Sequence, residues 1–259
     1  MTMKDISAID ELERAVRDDP ALLEAVDDRL HEQLESGVPS KRMDAGRALR
    51  AAAEHDPELV ADHEETLTGF LTGDNDSLRL SGAIGIAELS GRDPEGLEHA
   101  VPQLLTAFEG TVAPSIEEAI IRALTRIGMA DPEAVSVADP VIAARLDDAT
   151  FTTQTVIVRS FVGAVAERPG LFEETTAAYV DALDSDREVV ARQAVEALAL
   201  VAGADPAAIP SKRRVLERSE ELRAATDADP RPAAGRGLEA AARALSWAIE
   251  NEHAKTLNA

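Results

Sequence analysis

The sequence predicts an all-α fold in which helical hairpins stack into an α-α superhelix. Close to a fifth of the 259 residues are alanine, the best helix former, whereas only 3% are aromatic residues, which strands favour. Asp–Pro steps also recur about every 37 residues, and a fixed period of this length is typical of repeat proteins. Because one helical hairpin cannot bury its apolar face alone, neighbouring hairpins are expected to stack.

Six prolines mark the period, with spacings of 37 or 38 residues, and aspartate precedes five of them. They are Pro20, Pro57, Pro94, Pro132, Pro169 and Pro206. Aspartate is a good N-cap, and proline loses nothing at the first helical position because its missing N–H would be free there anyway. Each Asp–Pro step therefore predicts the start of a helix.

Apolar residues keep the same register in every period. They stand eight residues before, three after and ten after each proline: Leu12, Leu49, Ile86, Leu124, Phe161 and Leu198; Leu23, Val60, Leu97, Val135, Phe172 and Ile209; and Leu30, Leu67, Leu104, Ile142, Tyr179 and Leu216. The offsets after the proline follow one face of a helix. Each period is thus predicted to hold two helices of about fifteen residues joined by a short turn.

The helix that opens at Asp–Pro is called the first helix of a repeat, and the one that follows it the second helix. First helices are predicted at 20–36, 56–73, 93–109, 131–148 and 169–185, and second helices at 38–55, 76–92, 114–130, 151–168 and 186–203. We expect one solenoid domain over 1–259, with five to six hairpins over 20–222. A capping helix at 1–19, a turn-rich link at 223–237 and a C-terminal capping helix and tail at 238–259 complete it, with Trp247 serving the cap.

These residues resemble the HEAT repeats, a family within the HEAT/armadillo-like solenoids. The segment from Leu97 to Phe108 is similar to the family's first helix, including the mid-helix Pro102, which has a counterpart in Pro140. The segment from Asp186 to Leu198 is similar to its second helix. The resemblance implies an outer, convex layer of first helices and a concave layer of second helices.

Composition excludes several classes of protein. Without cysteine there is no disulfide scaffold, thiolate zinc site or cysteine nucleophile. The polar N-terminus does not resemble a signal peptide, and no apolar run approaches the ~18 residues that a membrane span needs. We therefore expect a cytoplasmic protein that does not bind membranes, with its oligomeric state left open.

The net charge is −23, and 22 arginines stand beside only 4 lysines. This composition is similar to that of cytosolic proteins of salt-in halophiles, and it predicts a host such as a halophilic archaeon. In molar salt the Debye length is only ~3 Å, so a large excess of acids repels weakly. Total charge therefore says little about partners.

Motifs for catalysis are absent from the sequence, which contains no phosphate-binding glycine loop and no nucleophile elbow. Two HEAT-like enzyme families were compared with it. Deoxyhypusine hydroxylases hold two irons with several His–Glu pairs, but here only His31-Glu32 and His63-Glu64 occur, at offsets that should not face each other across a concave surface. HEAT-like DNA glycosylases need an aromatic groove, and most aromatic residues here stand at core positions. We therefore expect a protein that is not an enzyme and that binds no cofactor and no metal.

Charge is distributed unevenly between the two layers. The five first helices hold 23 acids and two bases, Arg29 and Arg145, whereas the five second helices hold 10 acids and 12 bases. Candidate partner-binding residues in the second helices are Arg47, Arg50, Arg122, Arg126, Arg159 and Arg192. Alternatively such arginines pair internally, and we weigh this most for Arg42, Arg79 and Arg192, which could each pair with an aspartate of the neighbouring repeat.

The sequence thus predicts a non-catalytic adaptor that binds a protein partner, such as an acidic helix or tail, on its concave, arginine-bearing face. The alternative is a nucleic-acid-binding protein, including a DNA-glycosylase-like one, that uses the same arginines. The low aromatic content disfavours stacking on single strands, and the acidic total disfavours long-range attraction of phosphates. A second basic cluster, Lys212–Arg214 with Arg218 and Arg223, is either another contact point or part of the cap.

Overall fold

A computed structural model describes residues 12–111, 113–227 and 235–256. Over these residues the chain is helical and contains no strand, so the predicted all-α class is confirmed. Among the helices so described, none is both long and apolar enough to span a bilayer. The chain divides into two compact units, Met1–Arg126 and Ile127–Ala259.

The first unit consists of helical hairpins in which second helices pack on one another. Helix α1 packs on α4, and α4 packs on α6, while α3 and α5 cover them from the first-helix layer. The helices are α1 (Leu12–Asp18), α2 (Leu22–Ala25), α3 (Asp27–Leu34), α4 (Pro39–His55), α5 (Glu64–Leu71), α6 (Asp76–Ser90), α7 (Val101–Glu109) and the part of α8 (Pro114–Ala130) up to Arg126, with 3-10 helices at Pro57–His63 and Glu95–Ala100.

The second unit repeats this arrangement. Helix α10 packs on α13 in the first-helix layer, and α14 packs on α12 and α16 in the second. Its helices are α9 (Pro132–Val135), α10 (Asp139–Asp148), α11 (Phe151–Val156), α12 (Val162–Glu167), α13 (Glu173–Ala182), α14 (Glu188–Ala204), α15 (Lys212–Asp227) and α16 (Gly235–Thr256). A π-helix, Ile157–Phe161, joins α11 to α12, and 3-10 helices occupy Ser136–Ala138, Pro169–Leu171 and Pro206–Ala208.

The first helices differ from the prediction because none is one continuous α-helix, and each opens with a separate short helical segment. Asp56, Asp93, Asp131 and Asp205 do cap the starts, each accepting a hydrogen bond from a main-chain N–H two or three residues later. The opening turn is short, however, and α3, α5, α7 and α10 all begin seven residues after their proline. Pro102 and Pro140 stand in the first turn of the restarted helices, where a missing N–H costs nothing.

The core follows the predicted apolar register with two exceptions. Leu49, Ile86 and Leu124 are fully buried, as are Phe161 and Leu198. Leu216, predicted for the core, is only half-buried, and Val215 takes the buried position instead. Leu34 stands at a further repeated apolar offset, fourteen residues after Pro20, and is likewise half-buried, while Gln33 beside it is buried.

The C-terminal cap is longer than predicted, and Trp247 does not pack in it. Helix α16 begins at Gly235 and α15 continues to Asp227, so the two ends of the predicted link are helical, while residues 228–234 lie outside the described part. Leu245 and Ile249 are buried, whereas Trp247 is 69% exposed. The expectation that Trp247 fills the cap is therefore wrong, because it lies on the outer face of α16. At the N-terminus, residues 1–11 of the predicted cap lie outside the described range.

Candidate partner-binding surface

The second helices place Arg47 and Arg122 at equivalent positions, and each pairs with an acid one repeat earlier. Arg47 Nε lies 2.8 Å from Glu13 Oε2, and Arg122 Nη1 lies 3.3 Å from Glu88 Oε1. Their side chains are 34% and 41% exposed. Both guanidinium groups therefore remain accessible to solvent while bound to a carboxylate of the same layer.

Arg126 and Arg192 are held more firmly by the fold. The Arg126 guanidinium donates to the main-chain oxygen of Ala87 and also contacts Glu88 Oε2 at 3.4 Å. Arg192 pairs with Glu188 on its own helix, and its side chain is only 16% exposed. Arg126 thus connects two repeats, whereas Arg192 pairs within its own helix and not with an aspartate of the neighbouring repeat, as one alternative expected.

Arg50 and Arg159 form no ion pair with any residue that the structure describes. Arg50, on α4, is half-buried. Arg159 is exposed and lies in the π-helix Ile157–Phe161, a wider turn that interrupts the second helix of its repeat. π-Helical turns inside α-helices are rare and often occur at functional sites. The sequence gives no signal for this turn because Ile157–Phe161 reads as an ordinary helical segment.

Arg79 and Arg42 do not pair with an aspartate of the neighbouring repeat, as one alternative expected. Arg79 contacts Asp76 on its own helix at 2.8 Å and donates to the main-chain oxygen of Gly110, one repeat later, at 3.3 Å. Arg42 is exposed, without an ion pair inside the described ranges. The inter-repeat partner of Arg79 is thus the carbonyl at the end of α7, where the helix dipole is negative.

The basic cluster on α15 is largely neutralised by nearby acids. Arg214 contacts Asp181 at 3.0 Å and also pairs with Asp184. Arg218 contacts Asp184 at 3.3 Å and donates to the main-chain oxygen of Leu183. These contacts attach α15 to the end of α13, which favours the interpretation of this cluster as part of the cap.

Several large apolar side chains on second helices face solvent. Phe151 is 41% exposed at the start of α11, and the Arg187 guanidinium lies 5.2 Å from its ring centroid in a cation–π contact. The others in this layer are Met129, Val189, Leu200 and Trp247. Periodicity could not identify Phe151, because it stands at the helix start rather than at a core offset.

A cluster of two histidines and an aspartate lies on the first-helix layer of the first unit. Asp27 Oδ1 is 3.3 Å from His31 Nδ1 and 3.4 Å from His63 Nε2, and the two imidazole rings stand 5.7 Å apart. One donor atom from each residue can be chosen so that all lie within 4.8 Å of one another. The offsets of His31 and His63 predict that they do not face each other across a concave surface, and they meet instead on the first-helix layer.

His63 is the buried member of this cluster. Its side chain is 10% exposed, and burial lowers the pKa of its imidazole below the usual range, assisted by His31 and opposed by Asp27 and Asp62. The neutral form, which has a free ring nitrogen, is thereby favoured. One repeat later, His99 Nε2 lies 2.6 Å from Glu64 Oε1 in a similar pair that lacks a second histidine among the described residues.

Comparison with known proteins supports the fold alone. No family model and no curated protein matches the chain. An engineered protein solved by a structural genomics consortium is similar over 85% of this chain and 96% of its own, with a TM-score of 0.68 and 17% identity. The CpcE–CpcF complex of phycocyanin lyase from Nostoc sp. PCC7120 aligns over 95% of each chain with 18% identity, but its TM-score of 0.46 carries no functional argument.

Proposed function

We propose that the chain is a non-catalytic adaptor that binds an acidic helix or tail of a protein partner through the arginines of its second helices. The single observation that carries the proposal is the separation of charge between layers. First helices hold 23 acids and two bases, whereas second helices hold 10 acids and 12 bases. An acidic partner is repelled by the first-helix layer, whereas the second-helix layer is nearly neutral and offers arginine side chains for direct contacts.

Arginine suits this task because its planar guanidinium binds a carboxylate through two parallel hydrogen bonds. Arg159 is exposed and has no acidic partner in the described part of the chain, so a carboxylate can approach it directly. Arg122 contacts its own glutamate at 3.3 Å and is 41% exposed. Exposed pairs of this kind stabilise a protein by only ~0–1 kcal/mol, so a partner carboxylate can share or replace the contact.

Exposed apolar residues of the second unit provide the apolar contacts that a protein interface needs beside its charged ones. Phe151 and Trp247 are aromatic and partly or largely exposed, and aromatic residues with arginine dominate the binding energy of many interfaces. Arg187 already stacks on Phe151, which pre-orders both side chains. This composition fits a protein partner better than a phosphate backbone, which needs no apolar contact.

A charge-reversal experiment tests the proposal. Arg50→Glu with Arg159→Glu changes one arginine in each unit, and neither forms an ion pair with a residue that the structure describes. Arg29→Glu with Arg145→Glu is the matched control, because these are the two bases of the first helices and one lies in each unit. Partners captured from the host at molar salt should be lost with the first variant and retained with the control.

Binding of random duplex DNA, measured by mobility shift at the same salt, decides the nucleic-acid alternative. If the wild-type chain binds duplex tightly and the Arg50/Arg159 variant does not, the adaptor proposal is wrong and these arginines contact phosphates. Equal capture by both charge-reversal variants would also overturn it. Circular dichroism of each variant verifies that the helices remain intact.

A further inference from the structure

A second site lies in the first-helix layer of the first unit, apart from the arginines of the second helices. We propose that Asp27, His31 and His63 form a binding site for a divalent transition-metal ion of the zinc class. Asp27 and His31 are four residues apart on α3, which places them on one face of the helix. His63 ends the 3-10 helix that opens the next repeat and brings a third ligand to the same face.

The spacing of the donor atoms fits a metal ion. Zinc bonds to imidazole nitrogen and carboxylate oxygen are ~2.0–2.2 Å long, so two ligands of a tetrahedral ion stand roughly 3.4 Å apart. Asp27 Oδ1 lies 3.3 Å from His31 Nδ1 and 3.4 Å from His63 Nε2. The carboxylate oxygen therefore already holds both imidazoles at the separation that a shared ion requires.

The central oxygen lacks a satisfactory hydrogen bond. Asp27 Oδ1 is buried from solvent yet accepts no well-aligned hydrogen bond from the described residues. Buried polar atoms almost always have a partner, so an orphaned carboxylate oxygen between two imidazoles indicates a bound ion or water. A metal ion at this position would satisfy the oxygen and His63 Nε2, while His31 Nδ1, which lies 3.0 Å from the main-chain oxygen of Asp27, would exchange that contact for the ion.

One of the three proposed ligands is buried, and the other two are accessible from solvent. His63 is held in the interior with its side chain 10% exposed, whereas the side chains of His31 and Asp27 are 54% and 45% exposed. An ion can therefore enter from solvent and meet a ligand whose rotamer is set by packing. Three protein ligands leave at least one coordination position for water or for a side chain of a partner.

The ligand types select the metal. Two imidazoles with one carboxylate suit zinc, iron(II) and related ions, whereas magnesium and calcium prefer oxygen ligands only. The many surface acids of this chain can bind any divalent cation weakly through oxygen, but they do not supply nitrogen. Selectivity for zinc or cobalt over magnesium therefore distinguishes this site from the acidic surface.

Titration with the metal alone tests the proposal. Protein freed of metal by a chelator is titrated with Zn²⁺ by calorimetry in molar KCl with excess Mg²⁺, and separately with Co²⁺, whose visible absorption reports nitrogen ligation. The variants are His31→Ala and Asp27→Asn at exposed ligands, and His99→Ala is the matched control from the neighbouring His–Glu pair. Circular dichroism verifies that each variant is folded.

We expect one saturable zinc site per chain in the wild-type protein and in His99→Ala. His31→Ala and Asp27→Asn should each lower the affinity at least about tenfold, since even outer-shell changes cost 10–100-fold at metal sites. Cobalt bound to the wild-type protein should show a ligand-field spectrum that His31→Ala loses. Absence of saturable zinc binding, or equal affinity in all four proteins, overturns the proposal.

Discussion

The Arg126 guanidinium on α8 donates a hydrogen bond to the main-chain oxygen of Ala87, near the end of α6 one repeat earlier. The same group contacts Glu88 at 3.4 Å and packs against Gly91, where an added Cβ would stand 3.0 Å from Arg126 Nη1. A cation at the carbonyl end of a helix is favourable because the dipole is negative there. Arg126 thus joins two neighbouring second helices.

Arginines that connect two helices, such as Arg126, form the framework of the repeats and should matter more for stability than exposed arginines that form no such contact. Arg126→Ala removes a charged donor from a carbonyl, and we expect it to lower the free energy of unfolding by ~1–3 kcal/mol. Arg159→Ala, on an exposed side chain without an ion pair in the described part, should change it by less than ~0.5 kcal/mol. Urea denaturation of both variants in molar KCl measures the difference. Equal losses would show that Arg159 also belongs to the framework.

The sequence predicts the periodic part of the fold well because the same positions are buried in each repeat. Residues at equal offsets from the prolines, such as Leu49, Ile86 and Leu124, occupy equivalent core positions. The Asp–Pro steps are also correctly identified as helix starts, since a cap is local chemistry. Both features depend only on residues close together in sequence.

Contacts between repeats could not be predicted in the same way. The break within each first helix changes which side chains face the next repeat, and no propensity marks it where proline is absent. Asp27 and His63 stand at offsets of seven and six residues from their prolines. A comparison of residues at equal offsets therefore does not predict that they meet. Trp247 lies outside the period, and its exposed face depends on the start of α16, which begins earlier than expected.

Leu104 tests the packing of the first-helix layer. It is fully buried in α7, and Leu104→Ala should lower the free energy of unfolding by ~2–5 kcal/mol because it leaves a cavity. Leu200→Ala, at a side chain that is 56% exposed on α14, should cost less than ~0.5 kcal/mol. Thermal denaturation of both variants provides the comparison. Similar costs for the two would contradict the burial assigned to Leu104.

Asp139 caps a helix that belongs to the next repeat. Its carboxylate accepts hydrogen bonds from the main-chain N–H groups of Glu174 at 2.9 Å and Thr175 at 2.7 Å, at the start of α13. Asp139→Ala leaves the buried N–H of Thr175 without this partner and should cost ~1–3 kcal/mol. Urea denaturation should show this loss, and hydrogen exchange should show the first turn of α13 becoming less protected.

Asp205 provides the control for this prediction, because it caps its own turn at an exposed position by accepting from Ala207 at 2.9 Å. Asp205→Ala should cost less than Asp139→Ala, since water can satisfy the exposed donor. If the two variants lose the same stability, the long-range cap contributes no more than a local one.

Salt should control the stability of the whole chain. With 23 acids and two bases in the first helices, repulsion within that layer grows as the Debye length rises from ~3 Å in molar salt to ~10 Å at 0.1 M. We therefore expect the helical signal in far-UV circular dichroism to fall when KCl is diluted and to return when it is restored. A fully helical protein with cooperative unfolding in dilute buffer would contradict this prediction.

Tyr179 should make the stability of the fold decrease at alkaline pH. It is the only tyrosine and is fully buried, and burial with the nearby Asp139 charge raises the pKa of its hydroxyl far above the usual value. The folded chain therefore keeps this proton above pH ~10, where the unfolded chain releases it. The protonated hydroxyl contributes its full share of stability below pH ~10, and this stability is lost as the pH rises further, at up to ~1.4 kcal/mol per pH unit.

Tyrosinate absorbance and circular dichroism, followed from about pH 9 to about pH 12, should change together at one midpoint. Tyr179→Phe should move the loss of helix to higher pH. Tyrosinate that forms near pH ~10 in a chain with intact helices would show that this hydroxyl is open to solvent.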